Sequence, residues 1–210
     1  MGGVLFVNPV SGPDGSPGVS EVAEAFGPHG IDVEELDDPA RLPDLIRASL
    51  ARDRSPIGVS GGDGTIRCAA ECLAGRNVPL LVVPGGTRNH FARELGIESL
   101  GDAVDAAKAG TVTEVSVGAV GDRIFVNNAS IGLYPALVRK RDRLGPVRFK
   151  SVASVRAAIA LIRTGEPITV ALDGDRMRAW LVFVGNGHYG EGFSNWWIAI
   201  PSRRRHWTSG

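Results

Sequence analysis

Along the first 110 residues the apolar positions follow two alternating patterns. Unbroken apolar runs at 4–7, 57–59 and 80–83 predict strands buried on both faces, and 31–35 predicts a further strand. Between them apolar residues recur at spacings of three and four. Val19, Val22, Ala23 and Phe26 form one such set, and Leu42, Leu45, Ile46 and Leu50 a second. Ile66, Ala69, Ala70 and Leu73 form a third; Phe91, Ala92 and Leu95 mark a short helix, and residues 100–109 another. Asn8-Pro9, Gly27-Pro28 and Gly75 stand where elements should stop. Strands alternating with helices predict an α/β domain over 1–111: a Rossmann-like parallel sheet with helices on both faces. Such sheets take ligands at the carboxyl ends of their strands.

The pattern changes after residue 111. Apolar stretches at 113–117 and 124–127 flank Gly118-Ala119-Val120-Gly121-Asp122 and predict a hairpin around those five residues. A basic, mostly helical stretch is expected over 134–163. A second hairpin follows, with strands at 168–172 and 177–184 around Asp173-Gly174-Asp175. Residues 112–193 therefore predict an incomplete β-rich domain with a helical insertion. Residues 194–210 hold three of the four tryptophans and an Arg203-Arg204-Arg205 run, without a period of 2 or 3.6, and read as an irregular tail.

Composition narrows the function. With 43% hydrophobic and 22% charged residues the 210-residue chain can bury a core without disulfides or metals. The 23 basic and 23 acidic residues cancel, which gives no whole-molecule field for nucleic acid. No apolar run reaches the roughly 18 residues of a membrane span, and the first residues lack the basic region of a signal peptide. A cytoplasmic protein is expected. Cys68 and Cys72, four apart on one helix face, read as small hydrophobes rather than half of a metal site.

The 28 glycines cluster where chemistry is expected. Gly61-Gly62-Asp63-Gly64-Thr65 joins a predicted strand to a helix, where glycine lets the backbone approach an anion and the helix start offers free N–H groups. Thr65 can give a hydroxyl to a phosphate. Asp63 inside such a loop suits a ribose hydroxyl, a bridging metal or a hydroxyl to be deprotonated. Pro84-Gly85-Gly86-Thr87-Arg88-Asn89 repeats the arrangement after the next strand, and Asn8-Pro9-Val10-Ser11-Gly12 ends the first. Three such turns on one sheet edge predict a nucleotide-phosphate site. No Walker A motif is present.

The ordered set NPVSG (8–12), GGDGT (61–65), PGGTRNHFARELGI (84–97), FVNNASIG (125–132) and VGNGHYGEGF (184–193) resembles the diacylglycerol kinase catalytic-domain family, related to sphingosine kinases and NAD kinases. The resemblance implies a lipid kinase that transfers the γ-phosphoryl group of ATP, with Mg2+, to a lipid alcohol such as diacylglycerol. It places ATP on Asn8, Gly12, Gly61, Gly62, Asp63, Gly64, Thr65, Ile66, Arg67, Gly85, Gly86, Thr87 and Asn89, with Asp63 near the phosphates as the candidate catalytic residue. The lipid substrate also implies contact at the membrane periphery; a homo-oligomer stays open.

The chain departs from the family in places. Arg67-Cys68 and Asn89-His90 stand where many members have Asn-Glu and Asn-Asp, and Glu71 is the nearest acid after the first motif. In the family the β-rich domain continues past the GNG segment with a DG-x-L motif that supplies the general base. Nothing after Phe193 resembles it, so a truncated or out-of-frame ending with impaired catalysis is expected. The alternatives are a nucleotide-binding module without catalysis and an NAD kinase. A serine hydrolase reading, from Gly58-Val59-Ser60-Gly61-Gly62 with His188, leaves Asp63 and the second glycine loop unexplained.

Overall fold

A computed structural model of the chain describes residues 2–12, 16–132, 167–172 and 174–186. The helical stretch expected over 134–163, the segment from Gly187 onward and the tail at 194–210 lie outside the described residues.

The predicted α/β order is present. Strands β1 (Gly3–Val7), β2 (Ile31–Glu35), β3 (Ile57–Gly61) and β4 (Leu80–Pro84) form one parallel sheet in the order β2-β1-β3-β4. Helices α1 (Val19–Phe26), α2 (Leu42–Leu50), α3 (Asp63–Leu73), α4 (His90–Glu94) and α5 (Leu100–Ala109) connect and cover it. The chain leaves β1 toward β2 on one side and returns to β3 on the other, so the topological switch lies between β1 and β3.

Two apolar layers explain why these residues fold this way. Val4, Phe6, Ile57, Val59 and Val82 point to one face, against Leu42 and Ile46 of α2 and Ile66, Ala69 and Leu73 of α3. Leu5, Val7, Leu81 and Val83 point to the other, against Val22 and Phe26 of α1 and Ala103 of α5. Alternate residues of β1 thus serve opposite layers and all five are buried, which is why this strand reads as a continuous apolar run. Gly58 breaks the run in β3 for a packing reason: a Cβ there would lie 2.9 Å from Leu5 Cγ. Helix α5 carries a full capping box, with Ser99 and Asp102 each bonded to the other's backbone, and it ends on Gly110 in the left-handed conformation.

The register aligns the strand ends. Val7 pairs with Ser60, and Gly61 with Pro84, so β1, β3 and β4 finish side by side. The turns 8–12, 61–65 and 84–89 leave from that common rim.

Two hairpin expectations are corrected. Residues 111–117 are exposed and without strand structure. The first hairpin is instead β5 (Gly118–Val120) against β6 (Arg123–Phe125), turning at Gly121-Asp122. Gly118 is a strand residue because a Cβ there would overlap the Phe125 ring, whereas Gly121 has φ +58° and makes the turn. In the second hairpin β8 (Ile168–Leu172) pairs with β9 (Asp175–Ala179), but the strand expected over 177–184 breaks at Trp180. Its second half, β10 (Leu181–Gly185), pairs instead with β7 (Asn128–Gly132), a strand the apolar pattern did not predict. By contacts the chain divides into two compact units, Met1–Asn127 and Asn128–Gly210.

The packing of Gly58 yields a stability prediction. Gly58→Ala forces a methyl group onto Leu5 and should destabilise the protein by about 1–3 kcal/mol. Urea unfolding checks this as a lower midpoint at unchanged slope.

Candidate functional site

The rim is assembled by backbone pairing that continues past the strands. The N–H of Asn8 donates to Ser60 O at 2.9 Å and that of Gly85 to Gly61 O at 3.0 Å. The three turns then meet glycine against glycine. A Cβ on Gly12, which has φ +93°, would overlap the carbonyl oxygen of Gly85. One on Gly86 would overlap Gly62 Cα, and one on Gly85 would lie 2.9 Å from Gly61 N. These glycines are spent on bringing loop to loop.

Side chains lock the arrangement. Asn8, 9% exposed, accepts the N–H of Val10 on Oδ1 at 3.2 Å and donates from Nδ2 to Thr65 Oγ1 at 2.9 Å. Ser11 Oγ lies 3.5 Å from the same Thr65 oxygen. Asn89 closes the PGGTRN turn on itself: Oδ1 accepts from Gly86 N–H at 2.8 Å, and Nδ2 donates to Gly86 O at 2.9 Å. Its own backbone is left-handed, φ 49° and ψ 42°, a conformation asparagine tolerates better than most residues.

Asp63 is the junction of three segments. Its Oδ1 accepts from Phe91 N–H at 3.2 Å and from Asn127 Nδ2 at 3.0 Å. Phe91 is the second residue of α4, whose preceding Asn89 makes no side-chain cap bond, so Asp63 caps that helix from outside its own segment. No described residue bonds to Asp63 Oδ2. At the start of α3 the N–H groups of Asp63 and Gly64 likewise have no described acceptor, and Gly62, in the cap position, offers no side chain.

Beside this, on the rim between β1 and β3, lies a cavity of about 260 Å³ whose lining includes Asn8, Ser11, Gly12, Gly18, Ser60 and Gly85. Ser60 is 2% exposed and belongs to β3. His188, the partner a hydrolase reading requires, lies outside the described residues.

The residues expected from the sequence divide into three groups. Asn8, Gly12, Gly61, Gly62, Thr65, Gly85 and Gly86 come together in the rim, with Asp63, Gly64 and Asn89 at its edge, and Thr87 is exposed on its loop. Ile66 is different: its side chain is fully buried in the core and its N–H donates to Gly62 O. Arg67 pairs with Glu71 one turn along α3 at 3.0 Å, and Arg123 lies 3.8 Å from the same carboxylate. The sequence reading missed Asn127 and the N–H of Phe91. No spacing links position 63 to 91 or 127, and only the FVNN motif marked the place.

Cys68 and Cys72 are half-buried against the α3 side of the core, as expected of small hydrophobes. Burial pushes both thiols up from their ordinary value; Arg67 opposes this at Cys68, and the Cys68 neighbour adds to it at Cys72. Among the described residues no cluster of three or more His, Cys, Asp or Glu is placed to hold a metal.

A parallel sheet with a topological switch, glycine turns at its carboxyl rim and an open helix start defines a doubly wound α/β protein of the kind that takes ligands at this edge. The chain belongs to the diacylglycerol kinase catalytic domain family, whose model matches residues 3–120. A diacylglycerol kinase of Mycobacterium tuberculosis is 32% identical over 122 residues, covering 56% of this chain and 40% of that protein. A Pseudomonas aeruginosa protein named Probable lipid kinase YegS-like is 38% identical over 90 residues, covering 42% of this chain and 30% of its own. Among solved structures, a diacylglycerol kinase from Bacillus anthracis matches with a TM-score of 0.61 and 27% identity over 89% of this chain and 64% of that one. The chain thus matches well under half the length of these curated relatives.

Asn89 carries a prediction on two levels. Asn89→Gly loses the bonds to Gly86 but keeps the left-handed backbone, whereas Asn89→Ala loses both. Thermal unfolding should show both variants destabilised, the alanine variant by about 1 kcal/mol more.

Proposed function

We propose that this chain is the nucleotide-binding part of an ATP-dependent lipid kinase that transfers the γ-phosphoryl group to a lipid hydroxyl such as that of diacylglycerol. One observation carries the reading. Of the glycines in the three turns, Gly62 and Gly64 are the two where a side chain would meet no close contact. A Cβ at Gly62 would make only an ordinary contact, 3.5 Å from Gly86 Cα, and at Gly64 it would meet nothing within 4 Å. Alanine in the first turn of α3 would by itself favour the helix. Space left open at the positions on both sides of Asp63, together with N–H groups of Asp63 and Gly64 that have no described acceptor, suits a ligand that brings oxygens to the backbone.

ATP fits this rim by its donor set: amides at a helix start, the Thr65 hydroxyl, and Ser11 and Ser60 lining the adjoining cavity. Mg2+ fits as well, because that ion is commonly held by one or two carboxylates together with substrate phosphates. Asp63 is the only carboxylate in the three turns, and its Oδ2 is not engaged by a described residue. When bound, Mg-ATP supplies the phosphoryl group and the charge neutralisation that its transfer needs. The chain's part is placement. The N–H groups of Asp63 and Gly64 hold phosphate oxygens, and the Thr65 hydroxyl, which accepts from Asn8 and lies within reach of Ser11, joins that polar set. Arg88, exposed on the second turn, adds positive charge. The lipid is met at a membrane surface. Among the described residues no helix is long and apolar enough to cross a membrane.

A second reading, nucleotide binding without transfer, is favoured by one feature. Oδ1 of Asp63 already takes two N–H donors, which suits a fixed anionic anchor better than a proton acceptor. Calorimetry with Mg-ATP, followed by transfer from γ-labelled ATP to diacylglycerol in mixed micelles, separates the two. Binding with transfer supports the kinase; binding alone supports the module; no binding by folded protein overturns both.

Gly64→Ala separates ligand from fold. Its stability should be unchanged or raised by up to about 1 kcal/mol, while Mg-ATP affinity falls at least about tenfold, the equivalent of about 1.4 kcal/mol. Full affinity in this variant would contradict the assignment.

A further inference from the structure

Asn127 lies 64 positions from Asp63 in the chain, yet its Nδ2 donates to Asp63 Oδ1 at 3.0 Å. The N–H of Phe91 reaches the same oxygen at 3.2 Å. A carboxylate has two oxygens, and here both donors converge on one of them. Two bonds from different segments restrain the Asp63 carboxylate, and they leave Oδ2 as the oxygen that no described residue engages. An aspartate in the N-cap position ordinarily turns its carboxylate to N–H groups of its own first turn, whereas here Gly62 holds the cap and Asp63 follows it. Both described donors to Asp63 belong to other segments, and the N–H groups of Asp63 and Gly64 stay clear.

We infer that Asn127 is a positioning residue for Asp63: it acts through Oδ1 to hold Oδ2 at the edge of the phosphate rim, toward the cation that accompanies the nucleotide. The inference rests on the Mg-ATP reading above. Its physical basis is the one by which groups behind a metal ligand orient that ligand, and whose removal costs about 10- to 100-fold in metal affinity or activity. Phe91 makes a backbone contact that no side-chain substitution removes. Asn127 is therefore the part of the device that mutation can reach.

A residue that merely ties strand end to loop would lower stability and weaken all forms of the ligand equally. A positioning residue would weaken the metal-linked part. The test is ATP affinity of the full 210-residue chain, by calorimetry, once with Mg2+ and once with EDTA, alongside thermal unfolding. Wild-type protein should bind more tightly with Mg2+. In Asn127→Ala that gain should shrink by about 10-fold or more, with affinity for metal-free ATP unchanged within about threefold (a difference well below the 1.4 kcal/mol of a tenfold change). Asn127→Ser, smaller but still polar, serves if the alanine variant does not fold, and should behave the same way because its hydroxyl is too short to reach Oδ1. Retention of the full Mg2+ gain in the folded variants, or equal losses with and without Mg2+, would overturn the role of Asn127 and leave the nucleotide reading standing. Absence of ATP binding by the wild type would overturn that reading, and this assignment with it.

Discussion

Three turns can occupy one rim only if their backbones touch. The strands bring them side by side: Val7 is level with Ser60, and Gly61 with Pro84. Any side chain at positions 12, 85 or 86 would then push neighbouring backbone away. This steric constraint supports everything built above it. With the backbones in contact, Asn8 reaches Thr65, Gly85 continues the pairing of β4 with β3, and Asp63 comes within reach of α4. Loosening one contact would misplace the start of α3 relative to the other two turns.

The glycines therefore do two different things. Those at 12, 85 and 86 serve the protein, by allowing one loop to lie on another. Those at 62 and 64 have room for a Cβ, and they flank the carboxylate whose Oδ2 no described residue engages. The division gives the site its chemical character: a rigid frame of amides and hydroxyls with one oriented acid and little fixed positive charge. Such a frame suits a polyphosphate that arrives with its own counter-ion.

Most of the α/β unit was legible in the sequence, because strands buried on both faces must be apolar throughout and helices buried on one face must repeat every three to four residues. Three of the four parallel strands and the five helices follow from that, whereas β2, an edge strand with only Ile31 buried, carries a weaker mark. The antiparallel region was less legible. Gly118 looks like a turn residue but sits in a strand beneath Phe125, and the apolar stretch from Met177 to Val184 conceals a change of partner at Trp180. The glycine turns were legible as a site, though not what each glycine does, since contact between loops leaves no periodic trace. Ile66 and Arg67 follow the motif directly but turn to the core and to Glu71. The role of Asn127, though its motif was in view, was hidden for the opposite reason: its partner is 64 residues away.

If the open amides at the start of α3 receive the phosphates of Mg-ATP, their environment must change when the nucleotide binds. Amide NMR of the isotope-labelled chain during titration with Mg-ATP tests this most directly. The N–H resonances of Asp63 and Gly64 should move together and saturate with the same affinity as heat release in calorimetry. Saturable binding that leaves those two resonances in place would contradict that placement of the phosphates.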